Sequence, residues 1–222
     1  MLDANLARVK MKPDSKVERR RKQKEYHHGD LRRAVLEGAF AEVRKRGLRE
    51  LTLREVARQI GVTHAAPYHH FKDLSALLDA MAEQAFDELD QAMLASKRGL
   101  SAPDQQLHAL GRCYIDFARE HPERIEVMFR RAVSQHPAAE AELGHRSFQH
   151  LVDAVSACQA QGLAPAGDPF DLALSAWSLV HGFAALFGEG PLGSMQPYRG
   201  RFEPLRERVL GDFIAGLKAS AR

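Results

Sequence analysis

Apolar residues recur every three or four positions along most of this chain, the spacing of helices that bury one face. Leu31, Val35, Ala39, Phe40 and Val43 fall in register, with Asp30 placed as their N-cap and Gly47 as the left-handed stop. The next stretch, LTLREVARQIGVTHAAPYHHF (residues 51–71), holds two much shorter segments. Thr52 with Glu55 three residues later reads as a capping box, Leu53, Val56, Ala57 and Ile60 form the buried face, and Gly61 ends the segment. Thr63 opens a third helix expected to reach about residue 70, with Pro67 early enough in it to remove a single intrahelical bond. Asp73 caps a long fourth helix carrying Leu74, Leu77, Leu78, Met81, Ala85 and Leu89 on one side.

The remainder repeats the same period. Helices are expected over about 103–120, from Pro122 through Phe129, over about 138–161, after the Asp168-Pro169 start, and over about 203–219, where Leu205, Val209, Phe213 and Leu217 align. Residues 188–202 read as a loop. Neither an alternating strand pattern nor an internal repeat interrupts this, so the expected fold is all-α with about nine helices.

Composition adds an enclosing bound. With 45% hydrophobic and 27% charged residues the chain can build a substantial core. Its net charge of +3 is unevenly spread: residues 1–72 hold 18 Lys and Arg against 9 Asp and Glu, and the remainder is acidic. A basic first third suggests contact with a polyanion. Within it, residues 1–26 carry many charges and little periodicity, and are expected to be a disordered basic arm. The uncharged run at 172–188 is short for a membrane span and contains Ser175, Ser178 and His181, so a buried helix is the expectation and no membrane contact is foreseen. Two cysteines without CxxC spacing, and no apolar leader, suit a cytoplasmic protein.

Two helices as short as those at 52–70 are marginal in isolation. A short helix, a Gly turn and another short helix form a helix-turn-helix, stabilised here against the helix at 30–46. That arrangement leaves the outer face of the second element free to enter a DNA major groove. Residues 51–71 followed by KDLSALLDAM resemble the DNA-binding domain of the TetR family of bacterial transcriptional regulators, with Gly61, Val62, Thr63, Tyr68, His70 and Phe71 matching its pattern. YIDFAREHPERIEVMF (residues 114–129) and WSLVHGF (residues 177–183) resemble one subgroup, with a Trp-x-x-x-His-Gly signature at Trp177, His181 and Gly182. One position departs: where relatives place a phosphate-contacting Lys three residues after the Phe, this chain has Leu74, with Lys72 the nearest substitute.

The resemblance implies a three-helix DNA-binding domain at 27–72 and a larger helical domain at 73–222 for ligand binding and dimerisation. It implies a homodimer bound to palindromic operator DNA and released by a small-molecule effector. The residues expected to meet DNA are Arg54, Thr63, His64, Ala65, Tyr68, His69, His70 and Lys72, with Tyr68 on the backbone and His64, Ala65 and His69 reading bases. The expected ligand site is Tyr114, Phe117, Met128, Phe148, Trp177 and His181, mostly aromatic and suited to an apolar or aromatic molecule.

Rival readings are a regulator without an effector, a metal-dependent sensor and a helical enzyme. The eleven histidines form adjacent pairs at 27–28 and 69–70 but no metal-ligand spacing. No nucleophile elbow, phosphate loop or supported carboxylate pair is present, so no catalytic residue, metal ligand or cofactor is assigned.

Overall fold

The computed structural model describes residues 15–129, 137–188, 192, 195, 196, 198 and 200–221, with side chains described from residue 31 and, in the second stretch, from residue 146. Among the described residues the regular structure consists of eight α-helices and short 3-10 turns, with no strand. α1 (Ser15–Arg46), α2 (Leu53–Gln59) and a 3-10 turn at Pro67–His69 form the first unit. α3 (Leu74–Ser96), α4 (Pro103–Glu120), α5 (Pro122–Met128), α6 (Pro137–Ala160), α7 (Pro169–Phe187) and α8 (Phe202–Ser220) form the second.

Local chemistry sets most of these starts. Thr52 Oγ1 accepts from Glu55 N at 3.1 Å, Asp73 Oδ1 from Ala76 N at 2.9 Å, and Asp168 Oδ1 from Phe170 N at 2.9 Å. Only half of the expected box at Thr52 forms, because the Glu55 carboxylate takes Arg58 Nε at 2.7 Å instead. Pro opens α4, α5 and α7, where its missing N–H has no helical partner to lose.

Two expectations change. α1 begins at Ser15, so Asp30 is an interior residue and not a cap, and residues 15–26, expected in a disordered arm, are helical. That stretch is almost all Lys, Arg, Glu and Gln, good helix formers uninterrupted by Pro. Residues 1–14 lie outside the described residues. The third helix is not an α-helix. Tyr68, His69 and His70 N–H groups bond the carbonyls of Ala65, Ala66 and Pro67, three residues back, because Pro67 supplies no N–H to the Thr63 carbonyl and the tighter turn follows.

Packing of the first unit depends on two glycines. Gly61 turns the chain with φ 72°. At Gly38, a Cβ would stand 2.4 Å from Ile60 Cγ2, so its absence lets α1 and α2 close on each other. Val35, Phe40, Val43, Leu53, Val56 and Phe71 fill the space between them. The apolar core continues along α3 into the second unit, where α4 is packed between α3, α6, α7 and α8. α7 is long and apolar enough to cross a membrane by length and composition alone, a test that core helices also pass, and it packs on α4, α6 and α8.

Candidate functional site

The surface expected to meet DNA is built by an anchored turn. Pro67 and Phe71 are buried, and Phe71 N–H bonds the Pro67 carbonyl at 3.0 Å. Fixing these two positions inward turns the residues between and before them outward. Thr63, His64, Ala65, Tyr68, His69 and Lys72 are all exposed, Tyr68 to 57%. Arg54, on the preceding α2, is exposed as well. His70 is half-buried, which sets it apart from the other residues expected at DNA. Leu74 is half-buried against the core, so the position where relatives carry Lys serves packing here, while Lys72 stands in solvent two residues earlier.

A polar joint ties this unit to the next. Leu48 N–H donates to Glu126 Oε1 at 3.0 Å, and Arg44 Nη1 donates to the Glu120 carbonyl at 3.2 Å. Arg124 of α5 pairs with Glu88 on α3 and with Glu123 at 2.6 Å, and its guanidinium lies 4.3 Å from the Phe40 ring centroid on α1. Burial raises the Glu88 carboxyl, but the hydrogen bonds from Arg124 and Gln84 outweigh it and hold the group below the usual carboxylate range. The seven-residue α5 is thereby gripped by α1 and α3.

The C-terminal end of α5 faces a cavity of about 310 Å³ lined by residues of α3 to α8. Tyr114, Met128, Phe148 and Trp177, four of the six residues expected at a ligand, line it. The remaining two are placed elsewhere. Phe117 is buried but does not line the cavity; its ring packs on His121, with centroids 5.1 Å apart. His181 sits behind Tyr114, its Nδ1 2.7 Å from the Tyr114 hydroxyl and its ring 5.6 Å from Trp177. Periodicity placed Phe117 on the inner face of α4, but it could not say which inward residues meet space and which meet side chains.

Residues that the sequence did not single out complete the wall. Phe129 and Phe148 flank Trp177 at 5.8 and 6.1 Å, and Phe170 stacks edge-on to Phe148 at 5.2 Å. Ser147 is the one small hydroxyl among the lining residues. Only its position next to Phe148 hinted at such a place. Burial raises the Tyr114 phenol, with a hydrogen bond to Trp177 acting against it, so the hydroxyl stays protonated. Burial lowers the His181 imidazole, so it is neutral near pH 7. Burial likewise raises both thiols, Cys113 to about 11, leaving neither poised as a nucleophile. Among the described residues no group of three His, Cys, Asp or Glu could hold a metal ion.

His181 therefore predicts a pH effect. As pH falls below the ordinary imidazole value of 6.5, the unfolded chain gains a proton that the folded site resists, so this residue's share of stability is lost on acidification. Urea unfolding between pH 7.5 and 5 should show a steeper acid loss for the native protein than for His181→Gln. Equal slopes would mean that the imidazole titrates as it does in water.

Residues 35–81 match the model of bacterial regulatory proteins of the tetR family, and residues 107–209 match that of the tetracyclin repressor-like C-terminal domain. The chain belongs to the TetR family. It is a DNA-binding transcriptional regulator, and the exposed turn lies within the stretch that matches the tetR-family regulatory model. This TetR-family protein is similar to a Rhodococcus sp. RHA1 protein described as of unknown function, at 33% identity over 87% of this chain and 98% of that one, with a TM-score of 0.73. Its fold is shared by a tetR-family regulatory protein from Rhodococcus RHA1 at 17% identity, 84% and 96% coverage and a TM-score of 0.69. It is shared also by AibR, solved with isovaleryl coenzyme A and operator DNA, at 21% identity, 84% and 97% coverage and a TM-score of 0.65.

Proposed function

We propose that this regulator is a homodimeric repressor that leaves a palindromic operator when a small, mainly apolar or aromatic effector enters the cavity. The observation that carries the reading is the place of α5. Its last residue, Met128, and the following Phe129 are in the cavity wall, while within the same seven residues Arg124 pairs with Glu88 on α3 and Glu126 accepts from Leu48 N–H of the first unit. An effector that favours one setting of α5 favours one spacing of the two reading turns, which must match major grooves roughly 34–36 Å apart. A shift from 1:99 to 99:1 needs about 5.5 kcal/mol of preference between the two settings. AibR, of the same fold, was solved with an acyl thioester and operator DNA, which supports an effector role for the domain.

The basic unit at 27–72 carries the operator contacts in this reading, and 73–222 carries the effector site and the dimer contact. Of the signature residues, Trp177 lines the cavity and His181 braces the Tyr114 hydroxyl of its wall. The protein acts in the cytoplasm, where operator DNA is. No observation favours an effector-free regulator, a metal sensor or an enzyme over this reading.

The test is operator release. A panel of uncharged one- and two-ring compounds is screened by thermal unfolding, and those that stabilise the protein are added to an operator complex followed by fluorescence anisotropy. Trp177 is half-buried, so Trp177→Ala is expected to cost less than the ~3–5 kcal/mol of a fully packed Trp, while abolishing or redirecting the response. A full core penalty with an unchanged response would make Trp177 packing and nothing more.

A further inference from the structure

His108 also lines the cavity, with its Nε2 3.5 Å from Glu207. Tyr114 was the natural polar contact for a ligand, but its hydroxyl is committed to His181. Ser147 is different. It is only 5% exposed, lines the cavity, and its Oγ has no hydrogen-bond partner among the described residues. A serine inside a helix ordinarily returns its hydroxyl to a carbonyl one turn back. Ser156 does so to Val152 O at 2.8 Å and Ser175 to Asp171 O at 3.0 Å in this same molecule. Ser147, on α6, makes no such bond, and a buried hydroxyl without a partner is unfavourable unless something else supplies one.

We propose that Ser147 is the polar anchor of the effector site, its hydroxyl bonding a single neutral oxygen on an otherwise apolar molecule of about two rings. The proposal rests on the cavity being the effector site and names the class of molecule that fills it. Size follows from the volume: a dry cavity of about 150 Å³ accepts one benzene, and this one is about 310 Å³. The ring preference follows from the edge-on and tilted aromatic wall of Phe129, Phe148, Phe170 and Trp177. Neutrality follows from the described lining residues, none of which is Lys, Arg, Asp or Glu to balance a carboxylate or phosphate. A hydroxyl both donates and accepts, so a phenol or a ketone would satisfy Ser147 equally.

The experiment titrates the full-length protein with naphthalene, 2-naphthol and 2-naphthoate by calorimetry, in the native form and as Ser147→Ala and Ser147→Cys. The native protein should bind 2-naphthol more tightly than naphthalene, and 2-naphthoate least. Ser147→Ala should lose roughly 3- to 10-fold in 2-naphthol affinity, the worth of one neutral hydrogen bond, and keep its affinity for naphthalene. Ser147→Cys, a weaker donor, should fall between. Without ligand, Ser147→Ala should unfold at the same temperature or higher, since it removes an unpaired group. Unchanged 2-naphthol affinity in folded Ser147→Ala overturns the anchor while leaving the cavity a ligand site. Preference for 2-naphthoate overturns the neutral class. Failure of all three to bind the native protein overturns the effector-site reading itself, and the anchor with it.

Discussion

Leu186→Glu together with Ala215→Glu should yield a folded monomer that has lost its hold on operator DNA. α7 carries a single charged residue, Asp171, and in the isolated chain leaves Phe170 48%, Leu174 42% and Leu186 48% exposed. Phe170 and Leu174 line the cavity, whereas Leu186, about a third of a turn or more round the helix from them, is left as a large apolar side chain on the free side, which suits a contact surface. On α8 the side away from the core presents Gly211, Ala215 and Gly216, small enough for another helix to come close. Paired about a two-fold axis, the two helices and their copies form a four-helix bundle. Leu205, Val209, Phe213 and Leu217, the aligned apolar row, instead pack against the chain's own core, so charging Val209 or Phe213 would test folding and not assembly. Leu186 and Ala215 are exposed, and neither lines the aromatic cavity. Splitting the proposed dimer would remove the tethering of the second half-site, which is worth roughly 10²- to 10⁴-fold in apparent affinity. Sedimentation velocity and operator anisotropy measure the two effects separately. A dimer of native affinity in the double variant would place the interface on another face.

Tyr68→Ala should weaken binding to every DNA sequence, whereas His69→Ala should weaken it at one base pair of each half-site. Tyr68 is 57% exposed on the turn proposed to meet DNA, and its removal leaves buried Pro67 and Phe71 untouched. A hydroxyl bonded to a phosphate is charge-assisted and worth about 1.5–3 kcal/mol, or roughly 10- to 150-fold per contact. A base-edge contact from His69 is worth about 1–3 kcal/mol of discrimination and is lost only at its own position. Lys72→Ala supplies the third arm: losing one phosphate contact per protomer should lower the salt slope by about one unit for each. All three positions are exposed, so thermal unfolding should be unchanged. If the three folded variants bind operator and unrelated DNA as the native protein does, another surface contacts DNA.

The resemblance at residues 51–71 was legible because the turn carries local chemistry: Thr52 and Asp73 cap where they were expected to, and Gly61 takes the positive φ that its place demands. Where two local signals compete, the local pattern alone does not decide between them. Pro67 was treated as a tolerable member of an α-helix, yet its missing N–H governs the whole turn and makes it 3-10. Asp30 looked like a cap because capping residues and helix interiors differ only in what surrounds them, and the helix formers before it carry α1 back to Ser15.

Caps, periods and glycine turns act over one to four residues, and from them the sequence alone determined an all-helical chain, its helix-turn-helix and the family to which it is similar. The cavity was decided by the tertiary structure. Its wall draws on six helices, and whether an inward side chain meets a neighbour, as Phe117 meets His121, or open space, as Ser147 does, depends on how those helices are set against one another. The same holds for the bond between Tyr114 and His181, 67 residues apart, and for the grip of Glu126 on Leu48, 78 residues away. Such pairings are made by the packing of whole helices, and no local residue pattern encodes them.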